Sequence, residues 1–244
     1  MKQGIFKIKG VMLVVLLVVF FYLGLQAESS GLRMEFFDTF EDWKYLLVEN
    51  ALLVFSSGLC AVIVGVAAGI LMTREWFAKG AGILLQLFNI GSAIPTLAVL
   101  AIIMTITGVG FKTAFIGLVA VTILPIVKNT YQGISEVPDY LIEASRGQGM
   151  TSQQILWRVQ LPNALYVICA GIRTGFAINV GTSPLVTLIA ADSLGEYIFT
   201  GITLNDFNSL LIGAVSVALL AVITDFILSK LQYLLIPRGV NPIE

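Results

Sequence analysis

The chain is 244 residues long; 57% of it is apolar by residue type, and 14 basic and 15 acidic residues carry all its charge. That charged fraction is about half of what a soluble domain carries. Histidine is absent, which removes serine–histidine hydrolases, H-E-x-x-H metalloproteases and bis-histidine haem subunits. Cys60 and Cys169, both within apolar runs, are too few for a four-thiolate zinc or iron–sulfur site and read as small buried hydrophobes. At about 20 apolar residues per span, six spanning helices take up roughly 120 residues. The composition therefore predicts an all-α integral membrane protein with no room for a separate soluble domain.

Six apolar segments follow one another along the chain, at about 10–27, 51–72, 83–107, 113–127, 165–190 and 208–228. The fourth is short and contains Pro125, so it is expected to continue towards Lys128. Lys2, Lys7 and Lys9 precede the first span, and Arg74 and Lys79 separate the second from the third. Lys128, Arg146 and Arg158 follow the fourth, and Lys230 and Arg238 follow the sixth. The opposite side holds Arg33, Lys44 and Lys112, so the positive-inside rule places both termini in the cytoplasm. The first span also has the form of a signal peptide ending at Leu25-Gln26-Ala27, and both retention and cleavage are compatible with its pattern. Residues 28–50 hold Glu28, Glu35, Asp38, Glu41, Asp42 and Glu49, and with Asp192, Glu196 and Asp206 they make the outer face acidic. This segment reads as a solvated extracytoplasmic loop or as a docking surface. Gly65 and Gly69 in the second span, and Gly171 and Gly175 in the fifth, stand at helical spacing and mark faces where backbones approach closely. Pro95 and Pro125 predict bends, facing either protein or a water-filled path.

The longest cytoplasmic connection, from Lys128 to about Asn163, reads as folded. Pro138 suits a first helical position, with Asp139 beside it at the positive end of the helix dipole. Gly147 and Gly149 break that helix. Thr151, with Gln154 three residues on, has the form of a capping box and opens a second short helix that Pro162 is expected to end. Along it Ile155, Leu156 and Val159 form one apolar face, with Trp157 beside it. A partner protein is the expected cover; a helix resting on lipid headgroups is the alternative.

Glu143-Ala144-Ser145, three residues, Gly149, nine residues, then Val159-Gln160-Leu161-Pro162 resembles the EAA loop of permease subunits of ATP-binding-cassette importers. Their usual pattern is E-A-A, three residues, G, nine residues, I-x-L-P; the spacing matches, with Ser145 in place of the second Ala and Val159 in place of Ile. Ile94-Pro95 with Leu97-Ala98, Gly108-Val109-Gly110-Phe111, Leu124-Pro125-Ile126, Asn129-Thr130-Tyr131 and Ala170-Gly171-Ile172-Arg173-Thr174 look like permeases of osmoprotectant importers for glycine betaine, choline or carnitine. The likeness covers roughly residues 50–228. It implies an amino-terminal anchor over 1–27, the acidic loop over 28–50, a permease core over 51–230 and a cytoplasmic tail over 231–244. It also implies a coupling loop of Glu143, Ala144, Ser145, Gly147, Gly149, Leu161 and Pro162 docked on a cytoplasmic ATPase, with Gly147 and Gly149 letting two short helices meet closely. No G-x-x-x-x-G-K-[ST] phosphate loop occurs in the chain. The expectation is thus a transport subunit of the bacterial inner membrane, without a cofactor of its own, whose partner ATPase dimer binds ATP and Mg. The other expected partners are a second permease copy or a paralogue, an extracytoplasmic substrate-binding protein and membrane lipid, with no nucleic acid.

Two charges fall inside spans, Arg173 in the fifth and Asp225 in the sixth. Ionisable groups there are expensive unless paired or hydrated, and the long Arg side chain can bridge a few ångströms of depth. An Arg173–Asp225 pair is one reading and independent snorkelling the other. No aromatic spacing identifies a substrate cage. An importer for another small amine or amino acid shares the same loop, and a secondary transporter is also a charge-poor bundle, although ion coupling favours more intramembrane acids than Asp225 alone.

Overall fold

The computed structural model describes Tyr22 and residues 31–236 apart from Glu75. Helices account for almost all of this, and no strand occurs among the described residues. In chain order they are α1 (Leu32–Asp38), α2 (Phe40–Met72), α3 (Ala78–Ser92), α4 (Thr96–Thr107), α5 (Phe111–Ser135), α6 (Asp139–Gly147) and α7 (Ser152–Ile155). After a π-helical turn at Leu156–Gln160 come α8 (Leu161–Thr182), a 3-10 segment at Ser183–Ile189, α9 (Gly195–Leu204) and α10 (Phe207–Leu235).

Among the described residues, four stretches are long and apolar enough to cross a membrane: Phe40–Met72, Phe111–Ser135, Ser152–Ile189 and Phe207–Leu235. The expected span at 83–107 is instead interrupted at Ala93–Pro95, where α3 ends and α4 begins, and it makes a fifth span only if the two pieces are taken together. Pro95 accounts for the break: it has no N–H to donate and restrains Ile94 away from helical geometry. The expected first span at 10–27 lies outside the described residues.

The acidic segment 28–50 departs from the loop expected of it, since α1 and the first turns of α2 are helical there. At 1.5 Å per residue the 33 residues of α2 extend about 50 Å, against a hydrocarbon core of roughly 30 Å, so the helix has length to spare for a charged first turn with Glu41 and Asp42. Acid at a helix amino end is favourable, which is why charge did not prevent the helix.

The described chain divides into two compact units, and α2, α5, α8 and α10 each contribute to both, changing over after Ser57, Leu118, Phe176 and Phe226. In the first unit, Leu53, Leu100, Ala114, Leu118, Val186 and Ile189 form one core, while Leu32, Phe36, Leu46, Leu194, Tyr197 and Ile212 form another. The Trp43 indole N–H donates to Ser216 Oγ at 2.8 Å, and the Tyr197 hydroxyl donates to the Thr39 carbonyl at 3.1 Å, tying the start of α2 to α9 and α10.

The second unit is organised by the glycines. A Cβ on Gly69 of α2 would lie 2.5 Å from Thr130 Cβ, and one on Gly65 2.9 Å from Ile126 Cγ2. On α8, a Cβ at Gly171 would lie 2.5 Å from Asn129 Cβ, and one at Gly175 3.0 Å from the Thr122 carbonyl. All four therefore press α5 between α2 and α8, as the spacing predicted. Pro125 sits inside α5 without ending it; the Asn129 side-chain amide donates to the Pro125 carbonyl at 2.8 Å and helps bind up the backbone there.

Candidate functional site

The residues singled out by the spacing lie in the second unit, on α6, α7 and the turn into α8. Pro138 proves to be the residue before α6 rather than its first, with an extended ψ of 132°, and Asp139 opens the helix. Along α6, Tyr140, Glu143, Ala144 and Gly147 stand at i, i+3, i+4 and i+7 and are all exposed, Tyr140 at 69%. Ser145 points the other way, buried, its hydroxyl donating to the Leu141 carbonyl at 2.7 Å. That self-satisfied hydroxyl explains why Ser stands here in place of Ala: the position needs a small side chain and leaves no polar atom unpaired.

α6 ends on Gly149, whose φ of +79° only glycine adopts without strain. Gly149 N–H donates to the Arg146 carbonyl at 2.9 Å and Met150 N–H to the Ser145 carbonyl at 3.1 Å, so two of the terminal carbonyls are bound. The expectation that Gly147 and Gly149 let two helices meet closely is corrected here, because a Cβ at either would have nothing within 4 Å. Gly149 is required by backbone angle, and Gly147 only leaves the exposed stripe flat.

The capping box forms as read. Gln154 N–H donates to Thr151 Oγ1 at 3.3 Å and Thr151 N–H to Gln154 Oε1 at 2.8 Å, opening α7. Pro162 does not end the helical path: α7 runs through the π turn into α8, with Pro162 at the second residue of α8. The turn's shifted hydrogen bonds, such as Leu161 N–H to the Leu156 carbonyl, make room for a residue without a donor, and the Asn163 amide takes up the Val159 carbonyl at 2.7 Å. The apolar face is also distributed otherwise than expected. Ile155 and Leu156 are buried within the chain, at 4% and 6%, whereas Trp157 is left 66% exposed. The surface open to a partner thus consists of Tyr140, Glu143, Ala144, Gly147 and Trp157, with Arg146 and Arg158 adding positive charge. Leu161 and Pro162 are half-buried at the foot of α8.

Sequence reading misses two contributors. Tyr140 carries the largest exposed ring of α6, and its place three residues before Glu143 is the available signal. Arg74 donates to Gln160 Oε1 at 3.4 Å and to Thr73 Oγ1 at 2.7 Å, tying the end of α2 to the π turn; nothing in the spacing of residues so distant announces this. Deeper in the same unit, Arg173 Nη1 donates to Gln232 Oε1 of α10 at 3.1 Å, and Gln232 is buried. The partner expected from sequence, Asp225, stands about two turns earlier on α10.

An all-helical chain with several apolar spans and a rigid, exposed helical elbow between two of them has the form of a membrane transport subunit. The chain belongs to the family of binding-protein-dependent transport system inner membrane components, whose pattern it matches over residues 65–238. It is 45% identical over 228 residues to the osmoprotectant import permease protein OsmY of Salmonella typhimurium, which covers 93% of this chain and 94% of that one. Against the carnitine transport permease protein OpuCB of Listeria monocytogenes it is 38% identical, with 82% and 89% covered. Against the choline transport system permease protein OpuBB of Bacillus subtilis it is 36% identical, with 82% and 91% covered. Among solved structures, an inward-facing form of the MetNI methionine ABC transporter is similar at a TM-score of 0.68 and 26% identity, covering 79% of this chain and 97% of that one.

Proposed function

We propose that the chain is the permease subunit of an ABC importer for osmoprotectants of the glycine betaine, choline or carnitine type. Each of these relatives, one at 45% identity, carries an osmoprotectant, carnitine or choline transport name. The observation that carries the mechanism is the elbow: a glycine C-cap, a capping box and Arg74 hold an exposed stripe of Tyr140, Glu143, Ala144 and Trp157 in fixed geometry. A rigid lever is what converts motion of a docked partner into motion of α8. Glu143 supplies the anion for a basic group on a cytoplasmic ATPase, Trp157 and Tyr140 supply apolar area, and Ala144 and Gly147 allow close approach.

In this reading six spans cross the inner membrane with both termini in the cytoplasm, and residues 10–27 supply the first. The elbow then faces the cytoplasm, ATP and Mg are bound by the partner dimer, a second permease subunit completes the path, and an extracytoplasmic binding protein delivers the substrate. The Arg173–Asp225 pair remains a proposal from sequence. If it is essential, Asp225→Asn and Arg173→Gln each abolish transport and the swap Arg173→Asp/Asp225→Arg restores some of it; a swap that restores none refutes the pair.

The test is co-purification with the candidate ATPase and uptake into proteoliposomes. Glu143→Ala is expected to lose ATPase association while the permease still inserts and elutes as the unaltered protein does. Full substrate uptake without ATP would refute the reading and favour a secondary transporter.

A further inference from the structure

The first unit contains a cleft of about 390 Å³, whose walls include Asp42, Tyr45, Leu46, Asp192, Glu196 and Tyr197. That volume lies in the range of small-ligand sites. Three carboxylates border it and no Lys or Arg does. The Tyr45 hydroxyl donates to Asp192 Oδ2 at 2.7 Å and the Tyr197 hydroxyl to the Thr39 carbonyl, so both phenols are tethered at their polar ends. Among the described residues no three acidic, Cys or His side chains converge closely enough to hold a metal ion. The charge is spread around a cavity instead, which suits a bulky cation with an apolar skin.

A second observation lies beneath. Asn50 is fully buried, and neither its amide nitrogen nor its amide oxygen has a hydrogen-bond partner. It stands one turn after Leu46 on the same face of α2, and Cα–Cβ bonds lean towards a helix amino terminus, so its amide is directed at the turn whose Leu46 lines the cleft. An unpaired buried amide costs on the order of 1–3 kcal/mol, so a polar group arriving from the cleft would find it unsatisfied.

We propose that this cleft binds a small organic ammonium ion, with Asp42, Asp192 and Glu196 supplying the opposing charge, Tyr45 and Tyr197 the ring surface, and Asn50 a hydrogen-bonding floor. Carboxylates and phenol rings together are the chemistry that recognises alkylated ammonium groups. The inference deepens the osmoprotectant reading and rests on it for its biological sense, but binding is measurable without transport.

Choline is titrated by calorimetry into the full chain in lipid nanodiscs. Saturable binding is expected, and dimethylbutanol, the uncharged carbon isostere of choline, is expected to bind roughly tenfold more weakly or worse. Asp42→Asn/Glu196→Gln is expected to weaken choline by about tenfold. Asn50→Leu is expected to weaken it too, without lowering the melting temperature. Absence of saturable binding, equal binding of the isostere, or unchanged affinity in both variants would each overturn the proposal; the isostere comparison uses the unaltered chain and stands even if a variant misfolds. Choline binding without ATP-driven uptake in the complex would sink the importer reading and leave the cleft, whereas uptake without binding would do the reverse.

Discussion

Single residues set the sharpest constraints. Gly149 stands at φ +79°, so Gly149→Ala forces a β-carbon into the left-handed region at a cost of about 1–2 kcal/mol. Since nothing crowds the site, the loss is expected to come from the backbone alone, and Gly149→Asn should recover part of it in thermal melts of the detergent-solubilised chain. Asp206 caps α10, its Oδ1 accepting from Asn208 N–H at 3.0 Å. Burial alone would raise its pKa, but hydrogen bonds from the Ser209 hydroxyl and the backbone N–H groups of Asn208 and Ser209, with a further one from the Glu35 carboxyl, outweigh it and hold the group below its usual value. A carboxylate with a depressed folded-state pKa stabilises above its unfolded value, near pH ~4, and the contribution fades as pH falls through the folded one. Asp206→Ala is therefore expected to lower the melting temperature at pH 7, with the gap to the unaltered protein closing in acid. A gap that is constant with pH would show that the charge is not what caps the helix.

Elements show how much of this is legible in the chain and what is not. The helical spacing of Gly65, Gly69, Gly171 and Gly175 announces packing faces, and these glycines do contact α5. The Thr151–Gln154 box is readable because capping is local in sequence. The continuity of α7 into α8 is not, because Pro162 reads as a breaker unless a π turn, set by tertiary packing, shifts the hydrogen-bond register ahead of it. Nor does periodicity say which side of that turn the chain covers for itself, so Ile155 and Leu156 look like a partner's surface when Trp157 alone of that face is left open. Two predictions belong at this scale. Gly171→Leu drives a side chain into Asn129 and the Pro125 carbonyl, and is expected to cost about 1–3 kcal/mol or to prevent assembly of the second unit, whereas Gly82→Ala, with open space around it, should melt as the unaltered chain does. Trp157→Ala removes an exposed ring, so it is expected to leave stability within about 0.5 kcal/mol of native while weakening ATPase association by roughly tenfold. Loss of stability with unchanged association would mean that the ring packs within the chain.

For the whole molecule, sparse charge by itself points only to a membrane bundle, and the family match over residues 65–238 makes that bundle a transport component. The exposed elbow with Glu143 on its outer stripe joins that membership to a mechanism, since energy must reach a chain that has no phosphate loop of its own. Uptake of radiolabelled glycine betaine, choline and carnitine by proteoliposomes holding the chain with its ATPase and binding protein tests this most directly. The account predicts accumulation of at least one of the three that requires both ATP and the binding protein, and that Glu143→Ala abolishes without loss of the inserted permease. Accumulation driven by an ion gradient without ATP, or undiminished in Glu143→Ala, would contradict it.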